Sequence, residues 1–143
     1  MVGTALGALV ALPAAAEDAA ALFAKHCGGC HKADATGVPG FGPSLRDGLA
    51  PVLARPDGAD YVLRVVVNGL KGPIESNGRR YNGVMPSFAA QPDETVQALL
   101  GYLLGTLHGL PVPGPAAVAA ARAAPMPPDA VHALRAHMLA GAP

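Results

Sequence analysis

The segment Cys27-Gly28-Gly29-Cys30-His31 constrains this chain more than any other feature. It places two thiols three positions apart and an imidazole directly after the second thiol. Two thiols at this spacing on a helical turn can add to the two vinyl groups along one edge of a porphyrin. The next residue then lies under the iron and offers a ring nitrogen as the proximal ligand. The pattern therefore predicts one c-type haem, attached covalently through Cys27 and Cys30 and ligated by His31.

Two other kinds of site use a C-x-x-C pair. A thioredoxin-type redox pair needs a surrounding β-α-β pattern, and no strand pattern precedes Cys27. A closed zinc site needs four nitrogen or sulfur ligands, but only His26 adds a ligand nearby and no second Cys/His pair follows. The chain has only two cysteines, so no thiol is left for a disulfide or a second haem. Haem attachment is therefore the favoured interpretation.

The iron of such a haem needs a sixth ligand or an open site, and Met85 is the predicted sixth ligand. It lies in Tyr81-Asn82-Gly83-Val84-Met85-Pro86, where Gly, Asn and Pro predict a loop that can bring a thioether to the distal face. Met126 lies in an Ala/Pro-rich tail without bulky apolar neighbours. Met138 has the position of an apolar residue in a terminal helix, and Met1 is an initiator or signal residue.

Taken in order, these motifs resemble those of class I bacterial cytochromes c. The resemblance covers about residues 17–108 and rests on the segment at 27–31, on Gly42-Pro43-Ser44-Leu45, on Gly83-Val84-Met85-Pro86 and on Tyr102 in a C-terminal helix. It implies an all-α fold of three to five helices wrapped around one covalently bound haem, with long loops. It also implies that the carbonyl group of Pro43 accepts a hydrogen bond from the second ring nitrogen of His31 and so fixes the imidazole.

The predicted function follows from the ligands. A haem with both histidine and methionine on the iron has no open site for a substrate, so it passes single electrons and is not an enzyme. Residues 68–85 are similar to those of cytochromes that serve periplasmic dehydrogenases. The prediction is therefore a periplasmic carrier between a donor dehydrogenase and an acceptor oxidase or reductase. Two alternatives stay open: a stably bound haem subunit of a dehydrogenase complex, and an open-site haem enzyme or gas sensor in which Met85 is off the iron.

Further residues are candidates for the surroundings of the haem and for partner binding. Tyr81 and Asn82 could hydrogen-bond a haem propionate or the sulfur of Met85, although a plain loop role is an alternative. The formal net charge is zero, so nothing favours nucleic acid or an anionic membrane as a partner. Six basic residues could surround an exposed haem edge, with solvated surface charge as the alternative role: Lys25, Lys32, Arg46, Lys71, Arg79 and Arg80.

The chain divides into three predicted parts. Residues 1–16 are predicted to be a signal peptide, because residues 2–12 are almost wholly apolar and Ala14-Ala15-Ala16 resembles a cleavage site. A retained helix or anchor is the alternative, and membrane association is expected only in that case. Residues 17–108 form the predicted cytochrome domain. Residues 109–143 are an Ala/Pro-rich extension with a possible short helix over 129–139.

Helices are predicted over residues 17–27, 57–68 and 92–107, with one helical turn near 44–49. Residues 62–67 are rich in branched side chains and fit a strand by propensity, but their apolar positions repeat with a helical period. Gly101 and Gly105 are poor helix formers, and the close approach of a second helix would explain them. The sequence leaves three possibilities for the extension: packing against the domain, docking to a partner, or disorder.

Overall fold

The computed structural model describes residues 18–141, so the predicted signal peptide lies outside the described residues. This part of the chain forms seven α-helices and one pair of strands. The helices are α1 (Ala19–His26), α2 (Gly28–His31), α3 (Ala50–Leu53), α4 (Gly58–Asn68), α5 (Asp93–Leu100), α6 (Pro115–Ala123) and α7 (Pro128–Ala140). The strands are β1 (Leu70–Ser76) and β2 (Arg79–Met85), and a π-helical segment (Gly101–Thr106) continues α5. None of the helices in this described part is both long and apolar enough to cross a membrane.

The prediction of an all-α fold is wrong, because β1 and β2 pair as an antiparallel hairpin. Asn77 and Gly78 connect the strands with φ angles of 51° and 67°. Positive φ at both central residues is characteristic of a type I′ turn, one of the two favoured two-residue hairpin turns. The sequence predicted a loop over residues 81–86, because Gly, Asn and Pro interrupt that segment. Pairing nevertheless satisfies the backbone hydrogen bonds that a loop would leave to solvent.

The first and last helices of the predicted domain pack against each other, because α1 contacts both α5 and the π-helical segment. The predicted helices over 17–27 and 92–107 correspond to these elements. Phe23 is fully buried in the contact, and its ring centroid lies 4.6 Å from that of Tyr102. A Cβ atom on Gly101 would meet no neighbouring atom within 4 Å, so the expected close approach does not explain this glycine.

Helix α4 forms the centre of the apolar core and confirms the prediction for residues 57–68. Asp57 and Gly69 bound it, and its buried face includes Tyr61, Val62 and Val66. The branched residues are helical here because their apolar positions repeat with a helical period. Burial of that face stabilises the helix by more than the low helix propensity of branched residues destabilises it. The predicted turn near 44–49 is not a helix, and the nearest short helix is α3, which follows it.

The C-terminal extension returns to the rest of the chain. Helices α6 and α7 both pack against α4, and α7 also packs against β1. Val118 and Val131 are fully buried in these contacts. Between the two helices, the backbone N–H of Met126 donates to the side-chain oxygen of Asn68 at 2.8 Å. The described part of the extension is therefore continuous with the apolar core.

Candidate haem site

A cavity of about 420 Å³ lies between the α1–α2 segment, α4 and the hairpin. Its wall contains the two thiols of Cys27 and Cys30, the imidazole of His31 and the thioether of Met85. The two sequence motifs are more than fifty positions apart in the chain, and the fold brings them to one space. Most of the other side chains in the wall are apolar, among them Val62, Val66, Leu70, Ile74, Phe88 and Leu103.

His31 is held in one orientation. Its side chain is buried, and its Nδ1 lies 2.8 Å from the carbonyl oxygen of Pro43. A carbonyl oxygen only accepts, so Nδ1 carries the hydrogen and donates it, which leaves the lone pair on Nε2. Burial lowers the pKa of His31, and the hydrogen bond to Pro43 opposes that shift in part. The residue is therefore suited to be a neutral imidazole ligand with Nε2 free.

The two thiols differ in their surroundings. Cys27 is buried and Cys30 is exposed. Burial, with a smaller contribution from the charge of Cys30, raises the pKa of Cys27 to about 11. The segment that follows closes tightly over the motif, because a Cβ atom on Gly42 would overlap the carbonyl group of Cys30. Glycine at position 42 therefore lets the loop that carries Pro43 reach His31.

Met85 reaches the cavity from the end of β2. It lies directly opposite Leu70 in the hairpin, and Tyr81 lies directly opposite Ile74. Side chains an even number of positions apart in a strand share a face, so Tyr81 and Met85, which are four positions apart, point to the same side of the sheet. All four of these residues are half-buried and line the cavity. The hairpin therefore forms one wall and places the thioether at its end.

The remaining sequence candidates differ in position. Tyr81 and Asn82 line the cavity, Asn82 at an exposed position, and neither side chain hydrogen-bonds another described residue. Met126 and Met138 do not belong to the lining within the described residues. The six candidate basic residues are exposed, but none of them lines the cavity either: Lys25, Lys32, Arg46, Lys71, Arg79 and Arg80.

Arg135 and Tyr61 are residues of the cavity wall that the sequence analysis did not identify. Arg135, from α7, and Tyr61, from α4, line the cavity and are 6% and 2% exposed. A signal for Arg135 was present, because it shares a helical stripe with the apolar residues Val131 and Met138. A cation on the buried face of a helix is unusual and indicates a specific partner.

The residues of this cavity fit a covalently bound haem. Two thiols, an imidazole with a free Nε2 and a thioether are the donor set of a c-type haem site, and the apolar wall suits a porphyrin. Among the described residues, no three His, Cys, Asp or Glu side chains are arranged so that they could hold a metal ion by themselves. The donor set and the wall therefore agree on one cofactor.

Comparisons with known proteins agree with this geometry. Residues 14–103 match the family described as cytochrome C oxidase, cbb3-type, subunit III. One cytochrome c-552 of Thermus thermophilus is 41% identical over 92 residues, which are 64% of this chain and 62% of that protein. A second cytochrome c-552 of Thermus thermophilus is 42% identical over 86 residues, 60% of this chain and 65% of that protein. The chain thus spans less than two thirds of the length of the curated relatives it matches.

The matched region contains the segment at 27–31 as well as Met85, and it covers more than half of the chain. The resemblance to class I cytochromes c is therefore confirmed, and with it haem c as the cofactor. The chain belongs to the cytochrome c family described as cytochrome c oxidase, cbb3-type, subunit III.

Proposed function

We propose that this chain is a periplasmic monohaem cytochrome that carries one electron at a time, with His31 and Met85 as the two axial ligands. The observation that supports the proposal most strongly is the single cavity lined by Cys27, Cys30, His31 and Met85. Export is part of the proposal because residues 1–16 have the pattern of a signal peptide. The donor is proposed to be a dehydrogenase and the acceptor an oxidase or a reductase.

Each residue of the site has a distinct task in this proposal. Haem c supplies the redox-active iron. The thiols of Cys27 and Cys30 form the thioether bonds, and Nε2 of His31 binds the iron while Pro43 keeps Nδ1 protonated and the ring fixed. The thioether of Met85 occupies the sixth position, which raises the reduction potential and excludes exogenous ligands. Such a site favours electron transfer over substrate chemistry.

The rim of the cavity supports an encounter with other redox proteins. Phe41 and Val84 line the cavity and are 65% and 67% exposed. Electron-transfer complexes use small interfaces that form and separate quickly. Two exposed apolar side chains beside the cofactor offer a contact of that kind. Partner selection by the six basic residues has less support, because their side chains are outside the cavity lining.

Optical spectra of the exported holoprotein test the ligand assignment. We expect a charge-transfer band from thioether sulfur to ferric iron, and a reduced spectrum that carbon monoxide does not change. A missing band together with ready carbon monoxide binding would overturn the assignment of Met85 and favour the open-site enzyme or sensor. Mass spectrometry tests the attachment. The unmodified chain should carry haem through two thioether bonds, whereas Cys27→Ser should leave a single one.

A pair of methionine variants gives a sharper test. Met85→Ala is expected to lose the sulfur-to-iron band, to lower the reduction potential and to bind carbon monoxide. Met126→Ala is the matched control, because Met126 is also half-buried but does not line the cavity. Its spectrum and potential should be those of the unmodified protein. Equal behaviour of the two variants would contradict the proposal.

A second candidate function is that of a haem subunit held in a larger oxidoreductase. The name of the matched family, which refers to an oxidase subunit, favours it, whereas the relatives named cytochrome c-552 favour the free carrier. Purification of the holoprotein from both the membrane fraction and the soluble fraction of its source cells distinguishes the carrier from the subunit. A carrier is recovered alone, whereas a subunit is recovered in a stable complex with larger chains.

A further inference from the structure

Arg135 is the one Lys, Arg, Asp or Glu residue among the described residues that line the cavity. It comes from α7, in the extension that lies beyond the matched region 14–103. Its side chain is 6% exposed, so water can solvate the guanidinium only slightly. A charge in such a position is costly unless a partner of opposite charge or several hydrogen bonds compensate it.

The partners of Arg135 in the described part of the chain are neutral. Its Nη2 donates to the backbone carbonyl oxygen of Glu75 at 3.1 Å, and no carboxylate of a described residue forms an ion pair with it. The hydroxyl group of Tyr61 is its other polar neighbour. Burial raises the pKa of Tyr61, and the nearby guanidinium opposes that rise in part. Arg135 is therefore a buried cation whose protein contacts leave its charge uncompensated.

Haem, the cofactor of this family, would supply the missing charge when bound, because it carries two propionate carboxylates. The planar guanidinium is the side chain best suited to a carboxylate, which it can bind with two parallel hydrogen bonds. We propose that Arg135, assisted by the hydroxyl group of Tyr61, binds one haem propionate, so that the C-terminal extension is part of the haem site. The inference rests on the proposed haem site but not on the identity of the sixth ligand.

The pairing has a consequence for the redox equilibrium. With Arg135 present, the bound propionate stays ionised and its charge is compensated. Without Arg135, the propionate is a buried unpaired carboxylate, so its pKa rises above that of an ordinary aliphatic carboxyl group, about 4.3. Where it remains ionised, its negative charge favours ferric iron. The reduction potential then falls as the pH rises through the shifted pKa.

The test compares Arg135→Met with Arg135→Lys in the holoprotein, with the potential measured between about pH 5 and pH 9. When Arg135→Met is held at a fixed electrode potential, its ratio of ferric to ferrous protein should rise as the pH rises. The rise should be at most tenfold per pH unit, which is the limit for one proton per electron. Arg135→Lys keeps the charge and should retain most of the flat profile. A flat profile for Arg135→Met, equal to that of the unmodified protein, would overturn the proposal.

Other titratable groups need their own controls. His26, His31, Tyr61 and Tyr81 also line the cavity, while Glu75 and His132 lie with Arg135 along a second, smaller cavity of about 200 Å³. His132→Leu removes the neighbouring hydrogen bond from α7 to the carbonyl oxygen of Pro73, 2.6 Å away, without removing a charge from the larger cavity. This variant and Glu75→Gln should keep the potential of the unmodified protein. A new pH dependence in either would assign the effect to packing of α7.

A measurement on the unmodified protein covers the case in which Arg135→Met does not fold. Carbon-13 NMR of haem labelled at the propionate carboxyls should show one signal that does not titrate above about pH 4, well below the range expected for an unpaired buried carboxyl. Two signals that both titrate near neutral pH would contradict the proposal. The sulfur-to-iron band in the same sample reports Met85 separately, so failure of the ligand assignment and failure of this inference can be told apart.

Discussion

The carbonyl oxygen of Met85 lies so close to Gly69 that a Cβ atom on this glycine would be 2.6 Å away from it. Gly69 has a φ of 80° and a ψ of −179°, a backbone region that glycine occupies almost alone. It ends α4 and precedes β1, so the chain makes its turn into the hairpin directly beneath the proposed ligand. The position of Met85 thus depends on a residue without a side chain.

Gly69→Ala should destabilise the protein and disturb the sixth ligand. The backbone strain costs about 1–3 kcal/mol, and the contact with Met85 must be relieved by a shift of β2. We expect a lower midpoint in urea unfolding and a weaker sulfur-to-iron band. A variant with unchanged stability and an unchanged band would show that the joint between α4 and the hairpin tolerates a side chain.

Gly101→Ala should have the opposite effect on stability. Gly101 has helical dihedral angles, and a Cβ atom there would meet nothing within 4 Å. Alanine in a helix is favoured over glycine by up to about 1 kcal/mol. The free energy of unfolding is therefore expected to increase, with no change in the visible spectrum. Destabilisation would mean that the π-helical segment needs the freedom of glycine after all.

Arg122 should stabilise the packing of the C-terminal extension against the rest of the chain. Its guanidinium donates to the carbonyl oxygens of Ala89 and Gln91, at 2.6 Å for Gln91, and so connects α6 to the segment that follows the hairpin. Nε also lies 3.1 Å from a carboxylate oxygen of Asp93, without the geometry of a hydrogen bond. A hydrogen bond to a charged group contributes about 1.5–3 kcal/mol. Because Arg122 is partly exposed, we expect Arg122→Ala to lower the free energy of unfolding by about the value of one such bond.

Two variants serve as controls for Arg122→Ala. Asp93→Asn should cost less than about 1 kcal/mol, because the Asp93 side chain is largely exposed and surface ion pairs contribute little. Arg46→Ala removes an exposed hydrogen bond of similar chemistry, from Nε to the carbonyl oxygen of Asp34 at 2.6 Å, and should also cost little. A loss as large as that of Arg122→Ala in either control would contradict the structural role.

Ionisation of Tyr61 should lower the free energy of unfolding in alkali. Burial raises the pKa of its phenol above the ordinary value of about 10. The unfolded state therefore loses this proton first, and by linkage the free energy of unfolding falls as the pH rises above about 10. The contribution is full below that pH. Tyr61→Phe has no such proton, so its urea midpoint should fall less between pH 9 and pH 11 than that of the unmodified protein; parallel curves would refute the assignment.

The parts of the site that are local in sequence could be predicted. The segment at 27–31 carries its chemistry in five consecutive residues, and the stripe of α4 identifies a helix because burial overrides the strand propensity of its valines. The hairpin was missed although Asn77-Gly78 is a strong turn signal. The cavity-facing positions of β1 hold Gly72 and Ser76 as well as Leu70 and Ile74, so apolar alternation is too incomplete to mark the strand.

Arg135 could not be placed from the sequence, because its role depends on where α7 packs. Its contact with Glu75 joins residues that are 60 positions apart, and no local pattern fixes such a distance. The apolar stripe of α7 predicts a buried face but not the surface that it covers. Sequence reasoning therefore predicted candidate residues for attachment and ligation but not the buried charge in the cavity wall.

The exposed rim of the cavity should control how fast electrons leave the protein. Phe41 and Val84 are its most exposed large apolar residues, so a negative charge at either position would oppose close contact between two haem edges. Electron self-exchange between ferric and ferrous protein, measured by NMR, needs no other partner. Phe41→Glu and Val84→Glu should slow self-exchange severalfold at low ionic strength, with part of the rate restored by salt.

Val112→Glu is the matched control, because Val112 is also exposed, at 39%, but lies outside the cavity lining. Equal slowing by all three variants would indicate an effect of net charge and not of the rim.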